Sequence, residues 1–189
     1  MVSQVAGVWG NATKISLAGL PKNGSTGGEL NAVSCASPGN CSAGGAYRDR
    51  TGIWRPFAVN EKNGTWGHAQ EIRGIASLFL DGDIEPAGIE FVSCPAAGDC
   101  TAAGQYFHGA QPGHQQLLPF VVSETKGRWG TGKNLPGIGA LTKVGADFTS
   151  LSCSAAGNCA AGGGYFGPHG GSTGASPAAL AKTRQTPGS

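Results

Sequence analysis

The stretch NAVSCASPGNCSAGGAY (residues 31–47) sets two cysteines six positions apart across a turn-forming segment and follows them with a run of very small residues. The arrangement returns as EFVSCPAAGDCTAAGQY (90–106) and TSLSCSAAGNCAAGGGY (149–165). Self-similarity at a fixed period marks one supersecondary unit used several times, each copy burying its apolar face against the next. Cys35, Cys94 and Cys153 are spaced by 59 and 59 residues, as are Cys41, Cys100 and Cys159, and Tyr47, Tyr106 and Tyr165. The unit is therefore about 59 residues long.

Working outward from the cysteines, FVSC (91–94) is rich in β-formers, PAAGD supplies a reversal with Gly98 and Asp99, and CTAAGQYF reads as a second strand. A second block, PFAVNEKNGTWG (56–67) and PFVVSETKGRWG (119–130), reads as a third strand and a tight turn containing Gly64 or Gly127. Trp66 or Trp129 then opens a fourth strand. No segment carries a sustained 3.6-residue apolar period. The chain is expected to be all-β, with three four-stranded antiparallel meanders in a single repeat domain spanning 1–189: unit 1 at 31–72, unit 2 at 90–135, unit 3 at 148–184.

The opening VSQVAGVWGNATKI aligns with VSETKGRWGTGKNL (122–135), and SPAALAKTRQTPGS (176–189) matches the third-strand block only as far as its turn. The strand at 7–16 is accordingly expected to complete the third unit.

Charged residues make up 13% of the chain, the formal net charge is +2 and no Lys/Arg cluster occurs, which leaves no electrostatic footprint for nucleic acid or an anionic membrane. No apolar run reaches membrane-spanning length, and MVSQVAGVWG has no basic segment leading into an apolar stretch, so an exported form would be a trimmed one. No membrane insertion is expected.

Three equal C-x5-C pairs with no cysteine left over predict the disulfides Cys35–Cys41, Cys94–Cys100 and Cys153–Cys159, and hence an oxidising, extracytoplasmic location. Zinc would want C-x2-C pairs with histidines in register, whereas His68, His108, His114 and His169 share no repeat position. No metal or other cofactor is expected. With 34 glycines thinning the core, such staples matter. The small residues behind each pair, such as Ala43-Gly44-Gly45, predict a strand against which another backbone closely packs.

The unit S-C-x5-C-x-A-x-G-x-Y followed by P-F-x-V-x-E-x-x-G-x-W-G resembles the cysteine-paired β-propeller repeats of predicted exported actinobacterial proteins. Its turn resembles the Asp-box hairpin of sialidase-like propellers, although Asn60–Trp66 and Ser123–Trp129 carry no aspartate and are one residue shorter. The resemblance implies blades. Propellers use four to eight of these, so three imply a partner: two chains head to tail in a six-bladed homodimer, each lending its N-terminal strand. The alternative is a monomer closed as a threefold β-prism.

Among candidate sites, Trp9, Trp66 and Trp129 are expected to pack within or between blades. Tyr47, Tyr106 and Tyr165 are candidates to present hydroxyls to a ligand at blade edges. Glu61 and Glu124 are expected to hydrogen-bond their own turns. Asp81, Asp83 and Glu85 have calcium-like spacing but read better as a solvated loop. Departures from the repeat, at Arg48–Trp54, His108–Leu118 and His169–Ser176, fall between second and third strands and should gather at one face, with Trp54 the foremost ligand-binding candidate. The function expected is a secreted, multivalent, lectin-like module binding a glycan or cell-surface ligand. The alternatives are a scaffold without its own ligand and a sialidase-like glycoside hydrolase. No catalytic residue can be nominated, and the six arginines are mostly scattered.

Overall fold

The computed structural model describes residues 1–21, 27–75, 87–109, 116–142 and 144–166, and the strand at 178–184 as backbone. The acidic loop at 81–85, His114 and the insertion at 169–176 lie outside the described residues.

An N-terminal hairpin, β1 (Gln4–Val5) and β2 (Val8–Trp9), precedes three antiparallel sheets. The first sheet runs β3 (Gly27–Ser37), β4 (Asn40–Arg48), β5 (Trp54–Lys62), β6 (Thr65–Trp66), with β7 (Gln70–Glu71) also paired to β5. The second repeats it as β8 (Ala87–Ala96), β9 (Asp99–His108), β10 (Gln116–Thr125), β11 (Arg128–Trp129) and β12 (Lys133–Asn134). After a one-turn helix α1 (Ile138–Leu141), the third contains β13 (Ala146–Ala155), β14 (Asn158–Tyr165) and β15 (Ala178–Arg184). The chain is thus all-β with antiparallel meanders, as its β-rich runs and turn spacing dictate. The expected fourth strand is divided: β6 and β7 both pair with β5, and between them the Gly67 amide donates to the Asn60 carbonyl oxygen at 2.9 Å.

The β1–β2 turn and the third-to-fourth-strand turns of the first and second sheets each have two consecutive residues at positive φ: Ala6 and Gly7, Asn63 and Gly64, Lys126 and Gly127. This is the twist-matched reversal that lets two antiparallel strands continue without splaying. In the first-to-second-strand turn of the second sheet only Gly98 takes positive φ, and Asp99 already begins β9.

The sheets lie face to face in an open row. β8 packs on β3, β4 and β5, and β13 packs on β8, β9 and β10. Ala58, Ile72 and Ile75 of the first unit share a core with Ile89, Tyr106, Phe120 and Val122 of the second. Ala103, Leu135 and Ile138 share another with Ala146 and Phe148 of the third. The small residues make this spacing possible: a Cβ on Gly44 would stand 2.4 Å from Ile89 Cγ2, so the two sheets meet at this distance only with glycine there.

One expectation is corrected within the chain. Residues 7–16 do not join the third sheet, where β15 pairs with β14 among the described strands. Instead β2 pairs with β1, and Ser16 forms a parallel bridge to His68, with the Ala69 amide donating to the Ser16 carbonyl oxygen at 3.1 Å. The cause is apolar: Ile15 and Leu20 bury themselves with Tyr47, Phe57 and Val59 of the first sheet. The self-contained threefold prism, which needs the N-terminal strand on the third sheet of the same chain, is therefore not the arrangement formed.

Candidate binding surfaces and the seams between sheets

All three expected disulfides are present, each joining residues that face one another across a hairpin, with Cα separations of 3.9, 4.1 and 3.9 Å. They fit an oxidising compartment. Among the described residues no group of three or more His, Cys, Asp or Glu side chains is placed to hold a metal ion, and no helix is long and apolar enough to cross a membrane.

Tyr47 and Tyr106 are 2% and 1% exposed, so neither is presented to a ligand. Their hydroxyls donate inward, Tyr47 to Glu71 Oε2 at 2.8 Å and Tyr106 to Asn134 Oδ1 at 2.9 Å, which ties the second strand to the fourth in the first and second sheets. Burial, and then the Glu71 carboxylate, push the Tyr47 phenol well above its ordinary range. Tyr165 is half-buried.

Trp54 is half-buried at the start of β5, opposite Arg48, on a loop whose order comes from one carboxylate. Asp49 Oδ1 accepts from the Thr51 amide at 2.8 Å, the Thr51 hydroxyl at 2.6 Å and the Ile53 amide at 3.1 Å, while Oδ2 meets Arg55 Nε at 2.6 Å. Arg48 Nε closes the other side on the Gly52 carbonyl oxygen at 3.0 Å. Burial opposes ionisation of Asp49, but the Thr51 and Arg55 hydrogen bonds outweigh it and hold the carboxyl down at about 2. Sequence reading singled out Trp54 and missed Asp49; an Asp-x-Thr turn followed by arginine is the signal that identifies it.

Glu124 departs from its expected role. It is 3% exposed and reaches out of its own turn to the first sheet, accepting from Asn60 Nδ2 and lying 3.2 Å from the Ser42 hydroxyl. That hydroxyl is also 3.1 Å from Asn60 Oδ1 and 3.3 Å from Cys100 Sγ, one proton among three acceptors. Trp129 Nε1 donates to Asn60 Oδ1 at 2.9 Å. The tryptophan and glutamate of one unit thus lock onto the unit before it. Burial raises the Glu124 carboxyl above the usual range, the Ser42 and Asn60 hydrogen bonds opposing it.

A second seam uses the serine before the first cysteine in the first and second units. Ser34 Oγ accepts from the Cys94 amide at 3.0 Å, and Ser93 Oγ accepts from the Cys153 amide at 3.0 Å. Beyond the first sheet, a cleft of about 1,100 Å³ opens between residues 13–18 and the start of β3.

No family model matches this chain, and neither does any curated protein or solved structure.

Proposed function

We propose that this chain is an exported binding module of β-propeller type that holds carbohydrate or a cell-surface ligand through the loops joining the second and third strands of its sheets. The observation that carries this reading is the Asp49-ordered loop with Trp54 at its end: a half-buried indole on a pre-set backbone, flanked by Arg48 and Arg55, supplies stacking area and hydrogen-bond donors at small ordering cost. The test is a glycan and bacterial-polysaccharide screen with wild type, Trp54→Ala and Asp49→Asn. Binding that falls in both variants, at unchanged circular dichroism, supports the reading; binding absent across the screen ends it.

A second reading, a scaffold without its own ligand, is favoured by the inward commitment of Tyr47, Tyr106, Glu124 and Trp129 to intersheet and interstrand bonds. It predicts silence in the same screen.

A further inference from the structure

We propose that the cleft beside the first sheet is the seat of the third sheet of a second copy of this chain, so that two copies close head to tail through two identical junctions. The proposal does not depend on a ligand.

The junctions inside the chain provide the template. At each, a serine accepts the amide of the next unit's first cysteine, Ser34 from Cys94 and Ser93 from Cys153. The next pair in register is Ser152 with Cys35, and no described residue makes that contact within the chain. At each junction too, a large apolar residue of the incoming first strand meets a small residue of the preceding second strand: Ile89 sits on Gly44, and Phe148 shares a cluster with Ala103. The matching pair is Leu30, which lines the cleft, with Gly162.

Val33 strengthens the case. Its equivalents Val92 and Leu151 are packed against the intersheet cores, whereas Val33 is 54% exposed on the outer face of the first sheet. The N-terminal segment already marks the far wall of the seat. Its Ser16–His68 bridge repeats the Arg73–Thr131 bridge by which the end of the first unit lies along the second. The strand that leads to Arg73, β7, is carried by the sheet of β3, β4 and β5, whereas the segment that leads to Ser16 borders the cleft. A sheet with the third unit's spacing seated there would place Lys14 beside Tyr165, where Glu71 and Asn134 stand beside Tyr47 and Tyr106.

A head-to-tail contact closes only if the rotation returns to the start, and two copies of three units make that closure. Light scattering on the purified chain, with disulfides intact, tests it. The expected result is a particle of twice the 18.9 kDa chain mass that Val33→Asp converts to monomer with unchanged circular dichroism and disulfide content. Mixing Lys14→Cys with Tyr165→Cys under oxidation should give a covalent heterodimer. A monomeric wild type, an open-ended series of larger particles, or a dimer indifferent to Val33→Asp and uncrosslinked by the cysteine pair would each overturn the proposal.

Discussion

At the scale of single residues, two carboxylates of similar burial respond oppositely to pH. Asp49 is held ionised, its carboxyl lowered from 3.8 to about 2, so its contribution is complete above pH 4 and is lost as pH falls toward 2. Asp49→Asn should remove ~2 kcal/mol of stability at neutral pH and abolish that part of the acid transition, as read from urea midpoints across pH. Glu124 is raised, so its neutral form is the better accommodated; the associated stability is present below its ordinary value of 4.5 and fades as pH rises through the folded value. Glu124→Gln keeps the shape and supplies an amide to the Ser42 hydroxyl, and should match or exceed wild-type stability at pH 8. Glu124→Ala, by removing one buried acceptor of Asn60 Nδ2 and the Ser42 hydroxyl, should cost ~1–3 kcal/mol below pH 4.5 and less at pH 8. The Asp-x-Thr turn and Arg55 mark the Asp49 role in the sequence, whereas the Glu124 role was not legible there. Glu124 lies at the end of β10, just before a turn, where a local hydrogen bond is the ordinary outcome, and its partners Ser42 and Asn60 are 82 and 64 residues away. Tyr47 and Tyr106 were misplaced for a related reason: a ring recurring once per unit is equally spaced whether it faces inward or outward, and only the Glu71 and Asn134 partners on the fourth strand decide.

At the scale of elements, strands and hairpins were legible because turn chemistry and β-rich runs are local. The cysteine pairs were legible because six positions across a two-residue turn put both residues opposite one another. The broken fourth strand was not, since Gly67 and Gly130 read as well within a strand as at a break in one. Removing one staple by Cys94→Ala with Cys100→Ala should cost ~2 kcal/mol by the loop-entropy argument, measured as a shift in thermal midpoint. Gly44→Ala should cost ~1–3 kcal/mol, because Ile89 must leave its place against β4. The second sheet carries Ala103 at the equivalent position, opposite Phe148, so the glycine is dictated by its particular neighbour rather than by the strand.

At the scale of the whole molecule, the repeat announced a row of like sheets but not how the row is bordered. The spacing of cysteines and tyrosines gives the period; the placement of the N-terminal segment depends on Ile15 and Leu20 finding Tyr47 and Phe57, a choice between two equivalent sheet flanks that no local pattern encodes. Ile15→Ala should cost ~2–4 kcal/mol and speed hydrogen exchange at the Ala69 amide, which donates to Ser16, more than at Gly127, whose amide is held by Gly98 inside the second sheet.

The crosslinked hairpins are also the rivets of the row. Cys94 hands its amide to Ser34 and Cys100 lies against the Ser42 hydroxyl, while Cys153 and Cys159 meet Ser93 and Thr101 in the same way. A thiol reagent that opens one hairpin therefore slackens the neighbour to which it is fastened, and the row should come apart joint by joint, in step with the redox state around it.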